Sequence, residues 1–293
     1  MASLPPPTAD PPFHHPGPPP ERPERPEGLP EPGPPWAPWT APVALIAAFA
    51  VALLGYVVIG GVAGVAGAKF DKPPPWVNIV ATMVQDLALI GSALFFARLG
   101  GRVRPGDFGL RRIGVWSGLG WMFVAWLGFF LFTVVWISAL GIKERDNLPS
   151  ELGADESTIA LIAVAVLVTV VAPIAEEFFF RGYFFTALRN WRGIWPAAIL
   201  TGLVFGGIHA GSAPVGYLVP LAAFGVALCL LYVRTGSLYP CIALHALNNS
   251  LAFGVSQGWS WEIPLVMVAA NAIIAAILLP LGERTKPPRL APA

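Results

Sequence analysis

Charged residues are scarce in this sequence. Only 12% of its 293 residues are Asp, Glu, Lys or Arg, whereas a soluble globular domain carries about 25%. Hydrophobic residues make up 55% of the chain and the mean hydropathy is +0.65. This composition excludes an ordinary water-soluble globule. The net charge is +1, so nothing in the sequence favours a nucleic-acid partner.

Cysteine is almost absent as well. The chain has two cysteines, Cys229 and Cys241, and they form neither a CxxC pair nor a disulfide framework. We therefore expect both to be small, buried, apolar residues.

Proline is concentrated at the amino terminus. Residues 1–40 hold 16 of the 32 prolines and 7 of the 35 charged residues, which is typical of an extended or disordered tail. No apolar segment of a signal peptide lies within it. We predict a disordered cytoplasmic tail over 1–40, a helical membrane domain over 41–281 with a motif core at 173–250, and a short cytoplasmic tail over 282–293.

Long apolar runs fill the rest of the chain. They lie at 43–65, 76–97, 115–141, 158–180, 194–210, 214–233, 238–256 and 262–281. A helix needs about 20 apolar residues to cross a bilayer, and the runs lack the alternation of barrel strands. The sequence therefore predicts an all-α, polytopic membrane protein of about eight transmembrane helices.

The distribution of Lys and Arg predicts the orientation of these helices. With the amino terminus inside, 13 of these residues fall on the cytoplasmic side and four on the other side. Positive charge accumulates in cytoplasmic loops. We therefore expect both termini in the cytoplasm, most simply at a plasma membrane.

Ionisable residues within or beside the runs are few: Asp86, Glu176, Glu177, Arg181, His209, His245 and Glu262. A charged side chain at a helix centre costs about 2.5–3.5 kcal/mol to insert, so each is a candidate for function. Glu262 begins its run at the interface and is set aside. For Asp86 two interpretations stay open: a hydrogen bond between helices, or a lid over a cavity.

The two adjacent glutamates should have different roles. Neighbouring side chains on a helix point about 100° apart. Glu177 has i,i+4 spacing to Arg181, which predicts a supporting ion pair. Glu176 has no local partner, and a desolvated carboxylate of this kind can act as a general base or acid.

The remaining candidates are two histidines and an asparagine. His245 and Asn249 share one helix face, and the asparagine amide can donate to a developing oxyanion. His209 follows Gly206 and Gly207, small residues that allow helices to approach closely. One Glu, two His and one Asn suit hydrolysis, in which they activate water directly or hold a metal ion that does so.

The depth of these residues in the membrane is uneven. Glu176 and His245 fall near the cytoplasmic ends of their runs, and His209 falls near the far end of the short run 194–210. A shared site needs similar depth, so we expect that helix to be tilted, displaced or differently bounded.

Three motifs carry a family resemblance, in the order Glu176-Glu177-x-x-x-Arg181, Phe205-x-x-x-His209 and His245-x-x-x-Asn249. The pattern resembles the signature of the CPBP intramembrane proteases, which include CAAX-prenyl endopeptidases and bacteriocin-processing (Abi) enzymes. The stretches 108–112 and 234–240 are similar to the sequence around the motifs in that family. The resemblance covers about 173–250, and the earlier runs match in number and hydropathy.

The resemblance implies an eight-helix membrane peptidase with a cavity open to the cytosol, where Glu176 activates the attacking water. It implies that His209 and His245 position that water, or bind a divalent metal such as zinc if one is used. Asn249 would contribute to the oxyanion hole. The partners would be the lipid bilayer and a peptide or lipidated protein, with CAAX-type prenylated carboxyl termini among the candidate substrates. The chain has no HExxH motif, so a zincin-type helix site is not expected.

Two other classes of protein are compatible with the same residues. A non-catalytic immunity or scaffold protein would retain the motifs without using them. A transporter would use the charges as a proton relay, but it predicts inverted repeats and broken helices that the sequence does not show. No feature of the sequence indicates the number of subunits.

Overall fold

The computed structural model describes residues 34–69, 73–144 and 147–283. Most of the predicted amino-terminal tail and the chain from 284 onward lie outside these residues. Within them the protein is helical and contains no strand, only two isolated bridges. The all-α prediction is therefore confirmed.

Eight main helices correspond one to one with the eight apolar runs. They are α1 (Thr40–Val65), α2 (Pro75–Leu99), α3 (Val115–Leu140), α4 (Thr158–Arg192), α5 (Ile194–Ile208), α6 (Leu218–Thr235), α7 (Leu238–Ser256) and α8 (Glu262–Leu278). Short helical turns at Pro105–Phe108, Leu148–Glu151, Val215–Tyr217 and Leu279–Leu281 lie between or after them.

Six helical segments within the described residues are long and apolar enough to cross a membrane. The two helices outside this set are α5, which has only 15 residues, and α7, whose apolar pattern is interrupted by His245 and Asn249. Both carry predicted site residues. The protein is an integral, multi-pass membrane protein.

Local sequence signals set several helix ends. The Ser157 and Ser237 side chains accept hydrogen bonds from the first turns of α4 and α7, as N-caps do. Gly193 separates α4 from α5 with φ of 79°, a conformation that favours glycine. This single residue lets the chain leave one long helix and start the next at once.

Helix α4 is longer than the sequence indicates. The apolar run was expected to end at 180, but the helix continues to Arg192 and contains 35 residues. At 1.5 Å per residue it is about 52 Å long, against a hydrocarbon core of about 30 Å. The expected end is wrong because Arg181, which looks like an interface residue, is fully buried.

The outer helices present apolar side chains to their surroundings. Leu53 and Leu54 on α1 and Trp116 on α3 are well exposed. Gly118 is the one buried residue of α3, which packs mainly against α6. Exposed apolar faces of this extent are what a lipid environment stabilises.

The core begins before α1. Trp36, which the sequence places in the tail, is 4% exposed and lies against Phe108 and Tyr183, with ring centroids 4.9 and 5.1 Å away. Tyr183 also donates a hydrogen bond to the Thr40 hydroxyl, at 2.7 Å. Ordered packing therefore includes several residues ahead of the first helix.

Helices α5 and α6 are in backbone contact. A methyl group added to Gly202 would lie 2.6 Å from the Ala222 carbonyl oxygen, and one added to Gly225 would lie 2.7 Å from the Gly202 Cα. Small residues at these positions allow the helix axes to approach more closely than larger ones would. The position of α5 is therefore set by direct contact between its backbone and the backbone of α6.

We expect Gly202→Ala to destabilise the protein in detergent by about 2 kcal/mol, because the added methyl has no space. The matched control is Gly207→Ala, since a methyl there meets nothing within 4 Å. Thermal unfolding of the purified variants measures both. Equal midpoints for the two variants would contradict the close contact.

Candidate active site

The two glutamates lie near the middle of α4, roughly 25 Å from either end. Their helix changes character around them. Two π-helical segments, Leu167–Val171 and Phe178–Phe185, flank the short α-helical stretch Ala172–Glu177. π-helical segments are rare in proteins, and those that occur are often found at functional sites.

Glu177 and Arg181 form the ion pair that their spacing predicts. The Arg181 guanidinium donates to Glu177 Oε1 at 2.7 Å, and both side chains are 0% exposed. Arg181 also donates to the Gly225 carbonyl on α6, at 3.1 Å. The pair therefore fastens α4 to α6 as well as neutralising a buried charge.

Glu177 has a further partner that the sequence does not reveal. His245 Nδ1 lies 2.7 Å from the same Oε1 atom of Glu177. A carboxylate only accepts hydrogen bonds, so Nδ1 carries the proton and donates it, which leaves Nε2 of a neutral imidazole as an acceptor. Glu177 thereby fixes both the orientation and the tautomer of His245.

Glu176 faces the free side of that histidine. Its Oε2 lies 4.0 Å from His245 Nε2 and has no hydrogen-bond partner among the described residues. The Glu176 side chain keeps 13% exposure, whereas Glu177 keeps none. Glu176 therefore lacks the ion pair that Glu177 makes, and its Oε2 is itself buried. Its role as the general base stays a prediction.

His209 lies at the carboxyl end of α5 and close to His245. Its Nδ1 is 2.7 Å from the Phe205 carbonyl oxygen, so Nε2 is again the acceptor. The Phe205 ring contacts both imidazoles, with centroids 4.9 Å from His209 and 5.8 Å from His245. Because α5 is only about 22 Å long, its end reaches part of the way through the bundle. Glu176 lies near the middle of the long helix α4, and the short helix α5 ends at a similar level. The difference in depth expected from the sequence therefore does not arise.

Asn249 holds α7 against α4. Its amide donates to the Val168 carbonyl at 2.9 Å. That carbonyl lacks a backbone donor: the Ala172 N–H is directed to Leu167, and Pro173 has no N–H. An amide nitrogen carries two hydrogens, so a second one remains for another acceptor. Pro173 inside an apolar run was the sequence signal for this contact.

The donor atoms do not fit a zinc site with three protein ligands. No group of three His, Cys, Asp or Glu side chains within the described ranges is placed to share a cation, whereas protein zinc sites use three or four such ligands. His209 and His245 would supply two. No step proposed for this site therefore passes through a metal.

Two surface cavities of about 400 and 410 Å³ lie beside α1 and α2. The second is lined by Asn78, Thr82 and Gln85 among others, and neither is lined by Glu176 or the histidines. The two histidines instead pack against aromatic rings, with Phe224 edge-on to His245.

The fold and the site together define a multi-pass membrane protein with a buried glutamate–histidine centre. The family model for Rce1-like type II CAAX prenyl endopeptidases matches residues 158–251. This segment runs from the start of α4 into α7 and contains all three motifs. The predicted family resemblance is thereby confirmed.

Two curated relatives align with parts of the chain. An "Uncharacterized 24.3 kDa protein" of Escherichia coli is 29% identical over 150 residues, which is 50% of this chain and 66% of that protein. The "Putative membrane peptidase YdiL" of Bacillus subtilis (strain 168) is 28% identical over 108 residues, which is 37% of this chain and 42% of that protein. No solved structure matches.

Replacement of Arg181 by Met should strongly destabilise the fold, by about 3–5 kcal/mol, because it leaves the Glu177 charge buried and unpaired. The double variant Glu177→Gln with Arg181→Met should recover much of this loss, since no charge is then stranded. Thermal unfolding in detergent of the two single variants and the double variant measures the coupling. If the loss of stability in the double variant equals the sum of the losses in the two single variants, Glu177 and Arg181 do not stabilise the fold jointly.

Asn249→Ala should lower stability by about 1 kcal/mol, because the Val168 carbonyl loses its donor. Asn248→Ala is the matched control, as no hydrogen bond of the Asn248 side chain is found within the described residues. Equal unfolding midpoints for the two variants would contradict the role of Asn249 in joining α7 to α4.

Proposed function

We propose that the protein is an intramembrane endopeptidase that hydrolyses a peptide bond of a membrane-associated substrate with water activated by Glu176. The observation that carries this proposal is the 4.0 Å separation between Glu176 Oε2 and His245 Nε2. A single water molecule spans such a gap with two hydrogen bonds of about 2.8 Å. The match to a family of membrane endopeptidases supports it independently.

The two acceptors suit the activation of one water molecule. Its two hydrogens would be donated to Glu176 Oε2 and His245 Nε2, which leaves an oxygen lone pair directed away from both. Glu176 takes the proton as the oxygen attacks the carbonyl carbon of the scissile bond. General-base catalysis of this type contributes about 10²–10⁴-fold in rate.

The remaining residues have supporting roles in this mechanism. The free amide hydrogen of Asn249 donates to the oxyanion that forms on the carbonyl oxygen. The proton held by Glu176 then passes to the amine nitrogen as the C–N bond breaks, which yields a new carboxyl terminus and a free amine. His209 lies against the other side of the Phe205 ring. Because both hydrogens of the water are already donated, its Nε2 would accept a hydrogen bond from a donor of the substrate and help to position it.

The family match supports a proposal for the substrate class. We propose a peptide or lipidated protein at the bilayer surface, with a CAAX-type prenylated carboxyl terminus as the first candidate. We further propose a plasma-membrane location with both termini in the cytoplasm, which the distribution of Lys and Arg in the sequence supports.

We expect Glu176→Gln to reduce cleavage by at least about 10²-fold while the protein remains folded, since the amide cannot take a proton. The control is Glu156→Gln, which alters an exposed glutamate outside the site. Both are compared with wild type on prenylated and unmodified carboxyl-terminal peptides, with and without a chelator, alongside thermal unfolding.

The outcomes separate the possible classes. Full activity of Glu176→Gln would contradict the assignment of the base. Loss of wild-type activity in the chelator would require a metal that the donor geometry does not suggest. A folded wild type that cleaves no peptide in the panel would favour the non-catalytic scaffold.

A further inference from the structure

The charged residues that the structure describes lie in the interior or at the two ends of the bundle. Four are interior, and three of them, Glu176, Glu177 and Arg181, belong to the candidate active site. The fourth is Asp86, whose two oxygens have no hydrogen-bond partner among the described residues, so the hydrogen bond between helices that the sequence allowed is not made there. The others lie at helix ends and in loops, where they can meet lipid headgroups.

Several helix ends meet at one surface of the bundle. Asn190, near the end of α4, donates a hydrogen bond to the Pro34 carbonyl ahead of α1, at 2.8 Å. Arg112, in the loop between α2 and α3, donates to the Leu279 carbonyl just after α8, at 2.6 Å. The same loop packs against the residues that precede α1 and accepts a hydrogen bond from Leu238 at the start of α7. These contacts place the loops of this end beside one another.

This surface, which we call the arginine end, is strongly basic. Its arginines are Arg98, Arg102, Arg104, Arg111, Arg112, Arg189, Arg192 and Arg234. No salt bridge joins any of them to a described carboxylate. The two acidic residues at this end, Asp107 and Glu283, accept hydrogen bonds from backbone N–H groups instead. The positive charge of the arginine end is therefore not neutralised by the described part of the chain.

The opposite end of the bundle has the reverse charge. Among the described residues it has two lysines, Lys69 and Lys143. Its acidic residues outnumber them and are Glu144, Glu151, Asp155, Glu156 and Glu262. The charges are thus separated along the direction of the helices, and the electrostatic field attracts anions to the arginine end alone.

Tryptophan rings place the guanidinium groups at the level of the lipid headgroups. The Arg192 guanidinium lies 4.2 Å from the centroid of the Trp191 ring, and that of Arg234 lies 5.4 Å from the Trp121 ring. Both tryptophans are exposed, and exposed tryptophans of membrane proteins concentrate at the interface between lipid and water. A stacked guanidinium keeps its N–H groups free in the ring plane, so it can still bind a phosphate.

We propose that the arginine end binds the headgroups of anionic phospholipids, whose phosphates accept hydrogen bonds from the guanidinium groups. Arginine suits this partner because its planar fork matches two phosphate oxygens at once. Clusters of about four to eight basic residues beside membrane helices are typical of such binding. The proposed orientation places this end at the cytoplasmic leaflet, where anionic lipids are found. The inference does not depend on the chemistry of the active site.

The test is native mass spectrometry of the purified full chain in detergent, with equal amounts of phosphatidylglycerol and phosphatidylcholine added. We expect wild type to retain phosphatidylglycerol in preference, and to lose this preference at high salt. Arg192→Gln combined with Arg234→Gln should weaken the binding of phosphatidylglycerol about 25-fold, since each arginine near a lipid surface contributes roughly five-fold. Both side chains are exposed, so the fold should be unaffected. The matched control is Lys69→Gln combined with Lys143→Gln at the opposite end, which should bind as wild type does.

A second pair of variants separates charge from folding. Arg192→Lys combined with Arg234→Lys keeps the positive charge and should retain most of the preference, and thermal unfolding shows whether each variant is folded. Equal retention of the two lipids by wild type would overturn the proposal. So would an equal loss in the lysine control at the opposite end. Preferential retention of an added poly-glutamate peptide would overturn it as well, because the surface would then select soluble acidic chains.

Discussion

A single carboxylate oxygen, Oε1 of Glu177, organises the centre of this protein. It accepts one hydrogen bond from Arg181 and one from His245, each at 2.7 Å. Through these bonds α4 is joined to α7, and through the second contact of Arg181 to the Gly225 carbonyl it is joined to α6. In an apolar interior such charge-assisted hydrogen bonds are short and strong. The removal of one member leaves the others buried without a partner.

The same interaction separates the tasks of the two adjacent glutamates. Glu177 is charged, paired and enclosed, so it determines geometry. Glu176 differs from it by about 100° around the helix, which turns it away from Arg181 and towards the free nitrogen of His245. Glu176 thus faces a histidine that is itself held in place by Glu177.

The sequence was informative where a pattern extended over many residues or had a fixed helical spacing. All eight apolar runs became helices, and the pairing of Glu177 with Arg181 follows directly from i,i+4 geometry. The end of α4 was wrong by 12 residues because burial of Arg181 depends on partners from another helix. The contact of Glu177 with His245 joins residues 68 positions apart, and no local periodicity encodes it.

Other contacts had a signal that is clear only once the structure is known. Pro173 lacks an N–H and so leaves a carbonyl on the preceding turn without a donor. In a regular α-helix the affected carbonyl would be four residues back, but the π-helical turn moves the unpaired position to Val168, where Asn249 binds it. The proline indicated that a donor was needed, and the irregular helix decided where.

The glycine contact between α5 and α6 restricts how this protein can move. Gly225 meets the Gly202 backbone directly, so at this point the two helices have no side chain that could change rotamer while they separate. We therefore expect these two helices to move together, with His209 and the Gly225 carbonyl that Arg181 binds. Helix α3 has one buried residue, so we expect a substrate of the proposed peptidase to enter beside α3 or the α1–α2 pair and not between α5 and α6.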